Sequence, residues 1–188
     1  DSQNRVTKMT DPMGMTETYG YDTAGNMVTK VDRNGTELRY DYDAMNRITK
    51  EYAVVGSSEV LKSTYGYDGR NNLVELNDGK TAISYFYDSG NRLQDTYIYQ
   101  NGKKYKIFIT YDKRGNLTTK WIYQFIKSET VGELKTGYEY TYDKNNNMTK
   151  VTYQKAATEN SKDLVTYTYD NMDNVTKETR GSITTDYT

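Results

Sequence analysis

Apolar or aromatic residues alternate with polar residues in short runs along the chain. Leu38, Tyr40 and Tyr42 would share one face of an extended strand, and the same spacing recurs at residues 83–87, 107–111 and 165–169. The residues between them are mostly Gly, Ser, Thr, Asp and Glu. The pattern predicts antiparallel strands with one aromatic face and one hydrated face.

A four-residue motif, Tyr-x-Tyr-Asp, recurs throughout the chain. The six full copies end at Asp22, Asp43, Asp68, Asp88, Asp143 and Asp170, and a seventh copy, ending at Asp112, keeps only its second tyrosine, Tyr111. Asp1 matches the aspartate of an eighth copy, and Tyr187-Thr188 matches the first half of a ninth. Successive aspartates are 20 to 31 residues apart, which indicates a repeat with connections of variable length.

The residues after each motif aspartate predict a tight turn. The third residue after the aspartate always tolerates a left-handed backbone, the fourth is usually Arg or Asn, and the fifth is apolar. The third-position residues are Asn4, Gly25, Asn46, Asn71, Asn91, Gly115, Asn146 and Asp173. A capping aspartate, a residue suited to positive φ and a return to apolar character are typical of a hairpin turn.

A second turn signal lies about midway through most units. It is found at Asp11-Pro12-Met13-Gly14, Asn34-Gly35, Asp78-Gly79, Asn101-Gly102, Gly132 and Gly181. Each unit then contributes two strands, so eight units predict about sixteen strands in an all-β meander that twist curls into a spiral, trough or partial barrel. We expect the longer inserts, at Gly56-Ser57-Ser58, Lys127 to Lys135 and Lys155 to Lys162, to form projecting loops.

Composition removes several classes of function. The 188 residues include no histidine and no cysteine, which excludes imidazole and thiol catalysis, disulfides and zinc sites with those ligands. A net charge of −1 provides no electrostatic attraction for nucleic acid. No apolar stretch is long enough for a membrane span. The 21 tyrosines are expected to supply an aromatic layer in place of an aliphatic core.

The full pattern, Tyr-x-Tyr-Asp-x-x-Gly/Asn-Asn/Arg-apolar, resembles the YD-repeat (Rhs) family over essentially the whole chain. That family includes bacterial Rhs polymorphic toxins, wall-associated proteins, the C component of Tc toxins, and teneurins. The resemblance implies a β-hairpin strip that winds into a hollow shell, which in the toxin members encloses a C-terminal toxic polypeptide. Residues 1–188 would then be a single array of about eight repeats and a fragment of a longer protein.

We expect the motif residues to be structural, with no catalytic, cofactor-binding or metal-binding residue in the chain. Capping of the following turn explains the regular aspartates better than a row of catalytic or metal-binding carboxylates. The motif residues are Tyr19, Tyr21, Asp22, Tyr40, Tyr42, Asp43, Tyr65, Tyr67, Asp68, Tyr85, Tyr87, Asp88, Tyr111, Asp112, Tyr140, Tyr142, Asp143, Tyr167, Tyr169 and Asp170.

The tyrosine rows admit two interpretations. A ladder of cross-strand aromatic pairs explains their regularity without a ligand, whereas aromatic faces also stack on sugar rings and would make a carbohydrate-binding surface. Their phenols would contact water or side chains of neighbouring repeats, and the sequence leaves that choice open. We expect Trp121 to fill a local core. We expect Lys103-Lys104-Tyr105-Lys106 to form a solvated face.

The expected function is structural. The strip would form part of a shell around a C-terminal toxin or effector of a secreted or cell-surface protein, with a composition that suggests a Gram-positive bacterium. The alternative is an adhesin-like surface that binds cell-wall glycans or a receptor. Neither interpretation includes an enzyme, a cofactor, a nucleic acid or membrane insertion, and the isolated chain is expected to self-associate through its exposed strand edges.

Overall fold

The protein is all-β in the computed structural model, which describes residues 1–125 and 132–187. The hydrogen-bonded strand pairs are antiparallel, as the alternation predicts. The strands are β1 (Lys8–Thr10), β2 (Thr16–Tyr21), β3 (Met27–Val31), β4 (Glu37–Tyr42), β5 (Ile48–Val55), β6 (Ser58–Tyr67), β7 (Leu73–Asn77), β8 (Thr81–Tyr87), β9 (Leu93–Gln100), β10 (Lys103–Tyr111), β11 (Leu117–Phe125), β12 (Gly132–Tyr142), β13 (Met148–Gln154), β14 (Lys162–Tyr169), β15 (Val175–Arg180) and β16 (Ile183–Asp186).

The chain divides into two compact units, Asp1–Ala82 and Ile83–Thr188. Within each unit the strand order follows the chain, so each strand lies beside the strand before it and the strand after it. This is the meander of hairpins that the repeat predicts. Among the described residues, no helix has the length and apolar character needed to cross a membrane.

The motif turns adopt the backbone conformation that the sequence predicts. All eight residues at the third position after the motif aspartate have positive φ, from 59° at Asn4 to 94° at Gly25. In each turn the third-position N–H donates to the carbonyl of the motif aspartate, at 3.0 Å for Asn46 and Asp43. The residue types at this position are therefore explained by a left-handed turn conformation that disfavours other side chains.

The three longer inserts lie at the other ends of the hairpins, and parts of the first two are strand instead of loop. Val55 pairs directly with Ser58, so the Gly56 insert lengthens two strands and leaves only a two-residue turn, contrary to the projecting loop that we expected. Residues 132–135 of the second predicted loop belong to β12, and residues 127–131 lie outside the described part of the chain. The third insert is a loop over residues 155–161, as predicted.

A β-bulge follows most motif turns, and no residue pattern predicts it. In the hairpin of β2 and β3, Tyr21 pairs with Met27 while Gly20 pairs with Thr29, so Val28 has no partner across the ladder. The same shift occurs at Thr49 between β4 and β5 and at Thr118 between β10 and β11. Each bulge adds local right-handed twist next to the turn.

The two units have little buried interior. Among the described residues, only Thr96, Leu134, Gly137, Val151 and Val165 are buried, and most other strand residues are half-buried. Each unit is a single layer of strands, so its side chains pack mainly against neighbours on the same face. Stability therefore depends on contacts between successive strands and turns more than on a central core.

The motif tyrosines share one face, which we call the motif face, but the opposite face differs between the units. In the first unit it is largely polar, as predicted, with Arg39 contacting Asp41 and Glu59. In the second unit the strand register places seven aromatic residues there, so the prediction of a hydrated face is wrong for β8 to β12. They are Phe86, Tyr97, Tyr99, Phe108, Trp121, Tyr123 and Phe125.

Candidate functional site

Each motif aspartate organises the turn that follows it, as Asp43 illustrates. Its Oδ1 accepts hydrogen bonds from the backbone N–H groups of Met45 at 2.8 Å and Arg47 at 3.1 Å. Its Oδ2 accepts one from Nε of Arg47 at 2.8 Å. The bond from the Arg47 side chain is the largest of the influences that lower the pKa of Asp43. The carboxylate thus satisfies turn donors that would otherwise have no partner.

Asparagine replaces arginine in several copies without changing this arrangement. Asn26 donates its backbone N–H to Oδ1 of Asp22 at 2.8 Å and its Nδ2 to Oδ2 at 2.9 Å. Hydrogen bonds to the charged carboxylate favour its ionised form and lower the pKa of the motif aspartates. The aspartates with a lowered pKa are Asp22, Asp43, Asp68, Asp88, Asp112, Asp143 and Asp170.

The fourth residue after most of the motif aspartates also contacts the next motif turn along the sheet edge. Arg47 donates from Nη1 to the carbonyl of Asp68 at 3.2 Å and to Oδ1 of Asn71 at 3.0 Å. Its guanidinium carbon lies 4.5 Å from the ring centroid of Tyr67, which is a cation–π contact. One side chain therefore binds its own aspartate, the next turn and the next tyrosine.

The same contact recurs in both units. Arg5 reaches the carbonyl of Asp22 at 3.2 Å, and Arg92 reaches that of Asp112 at 3.4 Å. Each guanidinium also stacks on the tyrosine that precedes that aspartate, at 4.5 Å for Tyr21 and 4.6 Å for Tyr111. We call the whole set of contacts from one motif turn to the next the turn ladder.

Asparagine builds the turn ladder through a shorter contact. Asn26 donates from Nδ2 to Oδ1 of Asn46 at 2.9 Å, and Asn116 does the same to Asn146 at 3.0 Å. In each pair the donor is the fourth residue of one turn and the acceptor is the left-handed third residue of the next. Asn147 likewise donates to Oδ1 of Asp173 at 2.7 Å. The third residue therefore has a second role besides its backbone conformation.

The second tyrosine of the motif links repeats through its phenol. The hydroxyl donates to the backbone carbonyl of the apolar residue that follows the preceding motif turn. The pairs are Tyr21 with Val6 at 2.8 Å, Tyr42 with Met27 at 2.7 Å, Tyr111 with Leu93 at 2.9 Å and Tyr169 with Met148 at 2.8 Å. The phenols of these four tyrosines therefore bind the backbone of the neighbouring repeat. The sequence had suggested water or side chains of neighbouring repeats as their partners.

The first tyrosine of the motif makes a different contact. The phenol of Tyr19 donates to Glu17 at 2.5 Å, and that of Tyr65 donates to Glu51 at 3.3 Å. The hydrogen bond with Glu17 raises the pKa of Tyr19, whereas burial is the main cause that raises the pKa of Tyr40 and Tyr140. The motif face is therefore held together partly by phenol hydrogen bonds within and between repeats.

No cation-binding cluster accompanies the aspartate row. In the part of the chain that the structure describes, no three carboxylate side chains are grouped so that they could hold a metal ion. The oxygens of Asp143 accept hydrogen bonds from Asn145 and Asn147. Those donors occupy the oxygens that a calcium ion would need.

Trp121 packs against a glycine that the sequence did not single out. Trp121 pairs with Gly137 across β11 and β12, and a Cβ atom added to Gly137 would lie 1.9 Å from Cε3 of the indole. The two residues are on the face opposite the motif tyrosines. Only a residue without a side chain allows the indole to lie flat against β12 at this position.

A second feature of the opposite face is an open cavity of about 640 Å³ between β8 and β12. Six aromatic side chains and two lysines, Lys104 and Lys106, line it, and we call this set the aromatic trough. Both lysines lie half-buried beside aromatic rings, so the prediction of a solvated face is wrong for them. The aromatic members are Phe86, Tyr97, Tyr99, Phe108, Tyr123 and Phe125.

Comparison with protein families identifies the repeat. The family model described as RHS Repeat matches residues 1–37. A curated relative, the tRNA3(Ser)-specific nuclease WapA of Bacillus spizizenii, is 30% identical over 91 residues. That match covers 38% of this chain and 4% of WapA, so the chain spans a small part of its relative.

Comparison with solved structures concerns the fold. The TcdB2-TccC3-Cdc42 structure matches with a TM-score of 0.54 and 18% identity, covering 84% of this chain and 10% of that one. The Photorhabdus luminescens Tc holotoxin pore with the TccC3 substitution D651A matches with a TM-score of 0.53 and 14% identity, covering 88% of this chain and 12% of that one. At these identities the likeness shows a shared fold.

The motif, the hairpin meander and the turn ladder together define a β-hairpin repeat array. The family-model match lies on one stretch of that array, and the same motif recurs along the rest of the chain. With the related nuclease and the structural neighbours, that match supports the YD-repeat (Rhs) family. Its hairpin fold is also found within Tc toxin structures.

Proposed function

We propose that this chain is a length of shell wall in a longer YD-repeat protein, where it surrounds and shields a C-terminal toxin or effector. In this proposal residues 1–188 act as a single array of repeats. The array curls into part of a spiral or shell, and it performs no catalysis of its own. The nuclease activity in the name of WapA belongs to that whole protein, of which this chain spans 4%.

The turn ladder is the observation that carries this proposal. A wall has to hold its shape although it lacks a thick core, and few described residues here are fully buried. Within each unit, Arg47 and its counterparts connect motif turns to the turns that follow them, through hydrogen bonds and ring contacts at one edge of the sheet. Repeated nearest-neighbour contacts of this kind stabilise arrays whose stability grows with repeat number.

The motif tyrosines and aspartates have a structural role in this proposal. The aspartates hold the turns, and the tyrosines connect each repeat to the preceding one, as Tyr42 does through the carbonyl of Met27. A glycan-binding role for the tyrosine rows receives less support, because four second-position phenols already donate to backbone carbonyls. An adhesin-like surface for cell-wall glycans or a receptor therefore remains the second candidate.

The proposed setting is a secreted or cell-surface protein of a Gram-positive bacterium. The similarity to a protein of Bacillus spizizenii supports the bacterial source, and the likeness to Tc toxin structures supports secretion or surface exposure. We also expect the isolated chain to self-associate through its outer strands, β1 and β16, whose residues are exposed. Sedimentation velocity across a concentration series would detect this, and a monomer at every concentration would contradict it.

The shell role is best tested in the full-length protein that contains this chain. Limited proteolysis would compare the segment C-terminal to the repeats in its natural place and expressed alone. We expect the segment to be cleaved far more slowly within the full-length protein. Equal cleavage rates in the two settings would refute the proposal.

A pair of variants would then connect shielding to the turn ladder. Arg47→Ala combined with Arg92→Ala removes two ladder side chains, and we expect it to accelerate cleavage of the C-terminal segment. Arg70→Ala combined with Lys103→Ala removes the same charge from exposed positions outside the ladder and should leave the cleavage rate unchanged. If both double variants behave alike, the ladder does not hold the shell closed.

A further inference from the structure

Asparagine is followed by glycine at two places in the chain, Asn34-Gly35 and Asn101-Gly102. Both dipeptides lie in exposed turns, the first between β3 and β4 and the second between β9 and β10. This dipeptide is prone to spontaneous deamidation, because glycine has no side chain to hinder attack by its backbone nitrogen on the asparagine amide. The two turns differ in how they hold that nitrogen.

The turn at Asn34 holds the glycine nitrogen in a hydrogen bond. The Gly35 N–H donates to the carbonyl of Asp32 at 3.0 Å. The carboxylate of Asp32 also accepts the backbone N–H groups of Asn34 and Thr36, both at 2.8 Å. Rotation of the backbone that brings the Gly35 nitrogen to the Asn34 side chain would therefore break hydrogen bonds on both sides of that nitrogen.

The turn at Asn101 holds the corresponding nitrogen less firmly. Asn101 and Gly102 have φ values of 51° and 70°, which are typical of a two-residue type I′ turn. Gln100 pairs with Lys103 across the turn, so the closing hydrogen bonds belong to these flanking residues. Among the hydrogen bonds of the described residues, none is donated by the Gly102 N–H. This nitrogen is therefore available for attack on the Asn101 side chain.

Space and charge do not distinguish the two turns. A Cβ atom added to Gly35 or to Gly102 would meet no atom within 4 Å, so both glycines have open surroundings. Each dipeptide also has one exposed basic neighbour, which is Arg33 in the first turn and Lys103 in the second. The hydrogen bonding of the backbone is therefore the difference that bears on the reaction.

We propose that Asn101 is a deamidation site of the folded protein and that the turn at Asn34 protects it from the same reaction. The Gly102 nitrogen gives its proton to a solvent base and attacks Cγ of Asn101. The new C–N bond closes a cyclic succinimide, and the Cγ–Nδ2 bond breaks as Nδ2 takes a proton from water and leaves as ammonia. Water then opens the ring at either of its carbonyl carbons, which yields aspartate or isoaspartate.

The two products affect the hairpin differently. Isoaspartate adds one methylene group to the backbone of a turn whose ends pair directly, so we expect loss of the pair between Gln100 and Lys103. Aspartate tolerates the left-handed conformation of Asn101 and should keep the turn. The strands on either side, β9 and β10, both line the aromatic trough. This site is independent of the shell role, because Asn101 lies outside the repeat motif and the turn ladder.

Ageing of the intact chain at mildly alkaline pH tests the proposal. Peptide mapping by mass spectrometry measures the deamidated fraction of Asn34 and Asn101 over time, and labelling by an isoaspartyl methyltransferase identifies isoaspartate. We expect Asn101 to deamidate at least fivefold faster than Asn34 in the folded chain. In urea both dipeptides lose their turns, and the two rates should agree within twofold. A folded chain in which Asn101 reacts no faster than Asn34, or in which neither reacts, would overturn the proposal.

A variant of the protected turn tests why Asn34 is slow. Asp32→Ala removes the carboxylate that accepts the N–H groups of Asn34 and Thr36. We expect it to accelerate deamidation of Asn34 at least twofold and to leave the rate of Asn101 unchanged, because Asn101 lies in the other unit. An unchanged rate at Asn34 would show that the hydrogen bonds of this turn do not protect it.

A second variant connects the reaction to the stability of the hairpin. Asn101→Gly removes the reacting amide and fits the same positive φ. During ageing the parent should develop a lower-melting fraction in proportion to its isoaspartate content, whereas the melting temperature of Asn101→Gly should stay constant. An equal loss in both proteins would assign the change to another reaction and contradict the expected effect of isoaspartate on the turn.

Discussion

The contact between Trp121 and Gly137 allows a single methyl group to test the packing of the second unit. In Gly137→Ala the new Cβ would lie 1.9 Å from Cε3 and 2.0 Å from Cζ3 of the indole. Carbon atoms in contact are about 3.5 to 4.0 Å apart, so the ring has to move by roughly 1.5 to 2 Å or the strands have to separate. Either response disturbs β11 and β12.

The magnitude follows from two opposing effects. Overpacking of this kind costs about 1 to 3 kcal/mol. Replacing glycine by alanine inside a strand returns about 0.5 to 1 kcal/mol. The midpoints of these two ranges leave a net loss of about 1.3 kcal/mol. This loss lowers the melting temperature by about 2.5 to 5 °C at roughly 2 to 4 °C per kcal/mol for a chain of this size.

The assay combines thermal melting with tryptophan fluorescence, because Trp121 is the sole tryptophan of the chain. We expect the emission of folded Gly137→Ala to shift as the indole leaves its position against β12. Gly69→Ala is the matched control, since a Cβ there meets nothing within 4 Å and Gly69 is not among the glycines with positive φ. It should melt at or slightly above the parent temperature.

A double-mutant cycle isolates the contact itself. In a Trp121→Ala background the added methyl group meets no indole, so Gly137→Ala should no longer destabilise the protein. Two results would refute the reasoning. One is a parent-like melting temperature and emission spectrum for Gly137→Ala, and the other is an equal loss of stability in both backgrounds.

Three further predictions concern the repeat itself. Tyr42→Phe removes the donor to the Met27 carbonyl and should lower the free energy of unfolding by about 1 kcal/mol, measured as a lower urea midpoint; an unchanged midpoint would mean that this bond adds no stability. Asn101 has a φ of 51°, so Asn101→Ala should lose about 1 kcal/mol in urea unfolding while Asn101→Gly stays near the parent, and equal losses would contradict a conformational cause. The motif aspartates have lowered pKa values in the folded state, so their stabilisation is complete above the ordinary value of 3.8 and is lost as pH falls below it. The urea midpoint should therefore decline below about pH 4, and a midpoint that holds or rises there would contradict this assignment.

The turns could be predicted from the sequence because their requirements are local. A left-handed backbone at Asn46 or Gly115 limits the residue type whatever surrounds it, and the capping role of Asp43 depends on residues within four positions. The number of strands and their antiparallel order could also be predicted from the sequence, because alternation and turn spacing specify hairpins directly.

The contacts between turns could not be predicted in the same way. Arg47 reaches Asn71 only because the β-bulges and strand lengths bring two motif turns to the same edge of the sheet. The residue types alone predict neither the bulges nor the strand register. The same limit applies to the phenol of Tyr42, whose acceptor is a backbone carbonyl 15 residues away.

The opposite face of the second unit shows why one strand is not enough for a prediction. Lys104 and Lys106 look solvated within β10 alone, because their surroundings come from Tyr97 and Tyr99 on β9 and Phe125 on β11. Cross-strand pairing decides which side chains meet, and β11 lies well beyond the hairpin that the local pattern describes. The importance of Gly137 was hidden for the same reason.

The turn ladder also makes the individual repeats interchangeable. The motif turns offer an acceptor that is either the side chain of the third residue or, where that residue is glycine, the carbonyl of the aspartate. The donor is the fourth residue, and either Arg or Asn supplies it, as Arg47 and Asn26 show. The hairpin ends on the other side vary in length without altering that edge, from the two-residue turn at Gly56 to the loop at residues 155–161. Duplication of the gene segment that encodes one repeat can therefore lengthen the protein. The added repeat would contact its neighbours through the same hydrogen bonds.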